Sequence, residues 1–75
     1  MAKKDKSADS VYKITEVIGT SSTSWEEAAK NAVETASGTL RNLRVAEIVK
    51  LDVKVENGHV AAYRTRVALS FKYES

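Results

Sequence analysis

Two arginines and a glutamate are the residues whose types and spacing offer binding chemistry in this chain of 75 residues. Arg64 and Arg66 stand two positions apart in an alternating segment, so both side chains lie on one face of a strand. A guanidinium group binds phosphate or carboxylate through paired hydrogen bonds, which predicts either an anionic ligand or an ion pair. We favour the ion pair over the anionic ligand, and we expect Glu47, on the neighbouring strand, to pair with one of these arginines within the chain or across subunits.

Metal and catalytic chemistry have less support. The chain has no Cys and a single His, His59, which stands beside a turn without a second imidazole. Glu47, Asp52 and Glu56 carry the oxygens that calcium prefers, but no loop has the spacing of an EF-hand, so a calcium site would be assembled between subunits. Nothing resembles a nucleophile with its base, which predicts that the protein is not an enzyme.

The arginines lie on the strand around which the other elements must be arranged. Val60–Tyr73, VAAYRTRVALSFKY, alternates over its whole length without Gly or Pro. This pattern predicts a long strand in the middle of a sheet, where both edges are paired. One face is apolar and aromatic and needs a cover, whereas the other face carries the two arginines and Lys72.

A helix supplies that cover. Ser24 and Glu27 have the spacing of a capping box, which starts a helix at Trp25. The apolar stripe of the helix is mostly alanine, so the helix can approach a sheet closely. Trp25 is interpreted as a packing residue, and we expect the helix to end near Asn42.

Two further strands complete the pattern. Val11–Ile18 is rich in β-branched residues and ends before Gly19, and Leu43–Val55 forms the second strand. Asn57-Gly58 predicts a tight hairpin. A regular ladder from this turn would place charged residues of the second strand on the apolar face, so we expect a β-bulge near Val49–Leu51 or beside the turn.

The order of elements restricts the topology. A right-handed crossover makes the first two strands parallel, and the hairpin makes the last two antiparallel. Inserting the third strand between the others gives the order 1-3-2, with all neighbours antiparallel. We therefore predict an α+β fold in which a three-stranded antiparallel sheet wraps around one helix. One helix cannot cover both faces of this sheet, which predicts contacts with further copies of the chain.

The composition places few limits on function. A hydrophobic fraction of 43% with 29% charged residues is typical of a globular domain, and a net charge of +2 is too weak to indicate nucleic acid as a partner. We find neither a membrane span nor a secretory signal, so a cytoplasmic protein is expected. Residues 1–10 are interpreted as a flexible tail, and residues 11–75 as a single domain.

Four segments together resemble the dodecin family. They are VYKITEVIGTS, SWEEAAKNAVETA, TLRNLRVAEIV and YRTRVALSFKY, which follow one another with the family's order and spacing over roughly residues 11–74. The resemblance implies non-enzymatic subunits that assemble as a hollow shell of twelve chains, with helices outside and sheets turned inward. It also implies stacked pairs of flavins (riboflavin or FMN) between subunits, for storage or photoprotection, and coenzyme A binding in some members.

Two positions depart from the family's flavin-binding pattern. Val45 stands where the family has its flavin-stacking Trp, and Arg64 stands where it has a flavin-contacting Gln. An aromatic face contributes about 1 kcal/mol beyond its buried area, so the resemblance implies weak flavin binding here. The chain is most similar to the branch of dodecins that lacks this Trp and is linked with calcium.

The candidate binding residues are therefore Val45, Glu47, Arg64 and Arg66, and metal ligands stay unassigned. Two functions remain open. One is a homododecameric shell that stores a flavin-type or other anionic cofactor. The other is a structural or calcium-binding assembly whose flavin pocket is closed by charge pairs.

Overall fold

The fold has three strands and one helix in the order β-α-β-β. The computed structural model describes residues 11–72. Strand β1 spans Tyr12–Ser21, helix α1 Trp25–Ser37, strand β2 Leu43–Glu56 and strand β3 His59–Lys72. The sheet order is β1-β3-β2, and both pairs are antiparallel. The predicted topology and the central place of the third strand are confirmed. The tail predicted for residues 1–10 lies outside the described residues.

The helix begins where the sequence predicts and ends earlier. The Ser24 hydroxyl accepts a hydrogen bond from the Glu27 amide at 3.0 Å, which satisfies one of the free N–H groups of the first turn. The prediction that α1 ends near Asn42 is wrong, since α1 ends at Ser37 with Gly38 as its C-cap. The backbone after Ser37 closes into tight turns, in which the amides of residues 38–40 donate to the carbonyls of residues 35 and 36. Within the described residues, no helix has the length and apolar character needed to cross a membrane.

Strand β1 continues past the predicted boundary because Gly19 serves the packing of the helix and does not end the strand. Gly19 is buried beneath Ala28 and Ala32 of α1. A Cβ atom added at Gly19 would collide with the carbonyl oxygen of Ala28 and lie 2.9 Å from the Cβ of Ala32. The alanine stripe of α1 therefore lies directly on the backbone of β1, as its small side chains predict.

The core lies between α1 and the middle of β3. Thr65, Val67 and Leu69 have no exposed surface, and Val67 and Leu69 pack with Ala32 of α1. The helix does not reach the outer part of β2, where Ile48 is 50% and Leu51 49% exposed. The prediction that one helix leaves apolar surface uncovered is confirmed for the single chain.

The sequence predicts one bulge, either near Val49–Leu51 or beside the turn, and the β2–β3 hairpin contains a bulge at each of these two places. The turn residues Asn57 and Gly58 have φ of 51° and 77°, a conformation that suits Asn-Gly. Beyond the turn Val55 pairs with Val60 but Lys54 pairs with Ala62, so Ala61 is an extra residue on β3. Val49 is an extra residue on β2 between the pairs Ile48–Val67 and Lys50–Arg66, and a third shift occurs at Arg44. The two bulges shift only the segment between them, residues 50–54.

Candidate functional site on the open face of the sheet

The face of the sheet that α1 does not cover, named here the open face, carries all four predicted site residues. Thr65, Val67 and Leu69 point toward α1, so the alternate residues of β3 and their register partners point the other way. The open face consists of Tyr12, Ile14, Glu16, Ile18 and Thr20 of β1, Arg64, Arg66, Ala68, Ser70 and Lys72 of β3, and Val45, Glu47, Lys50, Asp52 and Lys54 of β2.

An ion pair occupies one end of the open face. The Arg64 Nε donates to Asp52 Oδ1 at 2.8 Å and Nη2 donates to Oδ2 at 3.1 Å, a two-bond geometry. The side chains are 39% and 41% exposed, so water still reaches both. The hydrogen bond from Arg64 holds the pKa of Asp52 below its ordinary value, with smaller contributions from the charges of Lys50 and Arg66. The same bond raises the pKa of Arg64, so the guanidinium stays charged.

The partner of Arg64 differs from the predicted one. Arg64 pairs with Asp52 and not with Glu47, which lies opposite Ala68. In a ladder without bulges Asp52 would lie opposite Tyr63 on the helix side. The extra residue Ala61 moves Asp52 by one position, to face Arg64. Within the described chain the predicted ion pair of Glu47 is therefore not formed, and a pair with an arginine of a second chain stays a prediction.

A row of two glutamates crosses the middle of the open face. Glu16 of β1 and Glu47 of β2 both lie opposite Ala68 of β3, and both are exposed. Neither carboxylate has an ion pair among residues 11–72. Sequence reasoning missed Glu16, although strand alternation already placed this carboxylate on one face with Ile14 and Ile18.

The next row along the strands is cationic. Lys50 lies opposite Arg66, and both side chains are exposed. Neither forms an ion pair within the described part of the chain, although both charges act on Asp52. Like charges directly opposite each other repel, so this row gains from any anion placed over it.

The three acids that the sequence offered to calcium do not converge. Glu47, Asp52 and Glu56 are spread along β2, where Asp52 is bound by Arg64 and Glu56 lies 3.3 Å from the ammonium of Lys54. Among residues 11–72 no group of three or more His, Cys, Asp or Glu side chains could hold a metal ion. Residues 11–72 of one chain therefore do not form a complete calcium site.

Val45 gives the open face an aliphatic patch at its other end. Its side chain is 53% exposed and lies in one row with Ser70 and the exposed Ile14. This row offers contact area but no aromatic ring on which a flavin could stack.

Trp25 packs as expected and lies away from the open face. Its ring meets the ring of Tyr63 edge-on, with centroids 5.1 Å apart. Its indole Nε1 donates to the backbone carbonyl of Asp52 at 2.9 Å. His59 is the first residue of β3, beside the turn, and belongs to no metal-binding group of the described residues.

Comparison with known proteins decides the family. The family model described as Dodecin matches residues 11–74. The chain belongs to the dodecin family. A dodecin structure from Streptomyces coelicolor superposes with a TM-score of 0.83 at 37% identity, covering 91% of this chain and 97% of that one.

Two further matches concern one relative from Mycobacterium tuberculosis. A protein named calcium dodecin is 43% identical over 63 residues, which are 84% of this chain and 89% of the relative. A crystal structure from that organism, described as a calcium-chelating antigen with a novel calcium-binding site, superposes with a TM-score of 0.77 at 42% identity. It covers 87% of this chain and 93% of that one.

Proposed function

We propose that the protein is a non-enzymatic dodecin that assembles as a shell of twelve chains. Membership of the family supports this assembly, and so does the apolar surface that one chain leaves exposed. Ile48 and Leu51 are uncovered on the helix side, and Ile14 and Val45 are uncovered on the open face. Such surface is typical of subunit interfaces. Native mass spectrometry should give a particle of twelve chains of 8.2 kDa each, whereas a stable monomer at micromolar concentration would contradict the proposal.

Calcium is the ligand that we propose for this shell. The main support is the row in which Glu16 and Glu47 lie on either side of the small Ala68, where neither carboxylate has an ion pair with another of the described residues. Two inter-strand spacings separate their backbones by about 10 Å, a distance across which two glutamate side chains can reach toward each other over Ala68. The calcium-binding relative supports the same ligand.

The two glutamates of this row supply only part of the ligands that a calcium ion needs. Calcium takes about six to eight oxygen ligands, and two carboxylates supply four at most. The remaining ligands would come from water or from a second subunit, which agrees with the expectation of a site assembled between chains. Calcium bound there would offset the repulsion between two like charges in one row.

Isothermal titration with calcium chloride tests this proposal. We expect the assembled wild type to bind calcium, and Glu16→Gln and Glu47→Gln each to weaken binding by at least about tenfold. Glu34→Gln is the matched control, because Glu34 is an exposed acid on α1, outside the open face. Equal affinities of Glu47→Gln and Glu34→Gln, or no binding by the wild type, would show that the row is not the site.

Flavin binding is proposed to be weak. Val45 supplies no stacking face, and the Arg64 guanidinium is already bound by Asp52. Riboflavin fluorescence should therefore be quenched little by the wild type and more by Val45→Trp, which restores an aromatic face. Strong quenching by the wild type would count against this assignment. Binding of coenzyme A and a cytoplasmic location stay predictions.

A further inference from the structure

Trp25 contacts the two strands at the level of the Arg64–Asp52 ion pair, but from the opposite face of the sheet. Its indole N–H donates to the backbone carbonyl of Asp52 at 2.9 Å. Its ring packs edge-on against Tyr63, and its own carbonyl accepts from the Thr65 hydroxyl at 2.9 Å. Tyr63 and Thr65 are the residues on either side of Arg64. The indole side chain and backbone of Trp25 thus hold the backbone around both members of the ion pair.

The face that Asp52 occupies depends on the register of this part of β2. Residues 50–54 lie between the extra residue Val49 on β2 and the extra residue Ala61 on β3. Removing both bulges moves residues 50–54 by one position and leaves the pairing beyond them unchanged. Asp52 would then lie opposite Tyr63, and its side chain would turn to the helix side, because a one-residue slip exchanges the faces of a strand. The two registers differ in whether Asp52 reaches Arg64.

The indole bond distinguishes these two registers. Trp25 is held at the start of α1 by the capped first turn and by the buried Thr65, and neither contact depends on β2. A donor fixed in this way can reach the Asp52 carbonyl only while that residue keeps its observed position. Among the described residues β2 is an edge strand paired with β3, so the indole bond adds a contact from α1 to a strand that is hydrogen-bonded on one side.

We infer that Trp25 is a positioning residue that, through its bond to the backbone of Asp52, keeps the Asp52 carboxylate on Arg64 and so prevents Arg64 from binding anions on the open face. The inference rests on the proposed function, since it names the residue that sets the ligand preference of that face. Trp25 itself touches no ligand there and acts only through Asp52.

Trp25→Phe removes the indole donor and keeps an aromatic ring against Tyr63. The chain has three aspartates, Asp5, Asp9 and Asp52, so carboxyl-labelled aspartate gives few NMR signals, and Asp52→Asn assigns the one of interest. In the wild type the bond from Arg64 holds the pKa of Asp52 low, with help from Lys50 and Arg66. We expect Trp25→Phe to raise this pKa toward the value in Arg64→Gln.

A control variant distinguishes the loss of the indole hydrogen bond from a general loss of stability. Val17→Ala trims a half-buried core residue on β1 and leaves Trp25 and Asp52 untouched. It should lower the unfolding temperature without changing the titration of Asp52. The inference is overturned if Asp52 in Trp25→Phe titrates as in the wild type, or if Val17→Ala moves it equally. The measurement needs no calcium. The inference about Trp25 and the proposal of calcium binding can therefore each be refuted without the other.

A second measurement addresses the anion. With labelled arginine, the Nε signal of Arg64 is assigned by its loss in Arg64→Lys and followed during titration with inorganic phosphate. We expect this signal to shift in Trp25→Phe at phosphate concentrations at which it stays fixed in the wild type. Equal responses in the two proteins would refute the part of the inference that concerns ligand preference.

Discussion

Replacing Gly19 with alanine should destabilise the protein strongly, because the added methyl group has no room beneath the helix. The new Cβ would collide with the carbonyl oxygen of Ala28 and lie 2.9 Å from the Cβ of Ala32 and 3.0 Å from the carbonyl carbon of Ala28. Two of these atoms belong to the backbone of α1, which cannot rotate away as a flexible side chain can. The helix must therefore move off the sheet.

The expected cost follows from that movement. Overpacking by one methyl group costs about 1–3 kcal/mol, and the upper end applies where backbone must shift. Moving α1 outward also loosens its contact with Val67 and Leu69, which are fully buried. We therefore expect a loss of about 3 kcal/mol, which in a domain of this size lowers the unfolding midpoint by roughly 10–25 °C.

Thermal unfolding followed by circular dichroism measures this effect, at one fixed chain concentration because assembly makes the midpoint depend on concentration. Gly38→Ala is the matched control. Gly38 has a right-handed helical conformation, with φ of −70°, and the nearest atom to an added Cβ is the Thr35 carbonyl oxygen at 3.3 Å. We expect that variant to stay within about 1 kcal/mol of the wild type. Equal stability of the two variants would refute the close packing of α1 on β1.

Two further predictions concern the helix start and the ion pair. Ser24→Ala removes the side-chain oxygen that accepts a hydrogen bond from the Glu27 amide, and it should lower the free energy of unfolding by about 1 kcal/mol in a denaturant titration. The control Ser22→Ala, at an exposed loop position, should lower it little, and equal losses would contradict the capping role. The hydrogen bond with Arg64 lowers the pKa of Asp52 in the folded protein below the ordinary value of 3.8. The ion pair therefore stabilises the fold at pH values above the ordinary pKa, and this stabilisation is lost as the pH falls through the lower pKa of the folded state. Asp52→Asn should therefore reduce the loss of stability on acidification below about pH 4, and an unchanged acid profile would show that the pair adds nothing.

Local patterns in the sequence were enough to predict the elements and their topology. Alternation without breakers identified β3 as the central strand, because such a pattern buries one face of a strand paired on both edges. Ser24 set the helix start, and Asn57-Gly58 set the hairpin, since each works through bonds or dihedral angles within a few residues. The same alternation placed Glu47, Arg64 and Arg66 on one face.

Boundaries and partners were decided by packing between distant segments. Gly19 is typical of a strand end, yet it lies inside β1. Two alanines of α1, nine and thirteen residues later, pack against its backbone, where a side chain would collide with them. Glu47 appeared to be the partner of the arginines because a ladder counted from the turn without bulges leaves Asp52 on the helix side. The parity of the strands indicated that a bulge was needed, but not that two bulges would bracket residues 50–54 and bring Asp52 to Arg64.

The sequence by itself determined that this chain forms a β-α-β-β unit with one charged face, because strand alternation, capping and turn geometry act over short distances. Only the tertiary structure decided which charges on that face meet. Each bulge exchanges the faces of the residues beyond it, so Asp52 meets Arg64 because it lies between two opposite register shifts, at Ala61 and at Val49. Glu16 and Glu47 lie in one row on either side of Ala68 for a similar reason, since β3 lies between two strands that are separated in sequence by the helix.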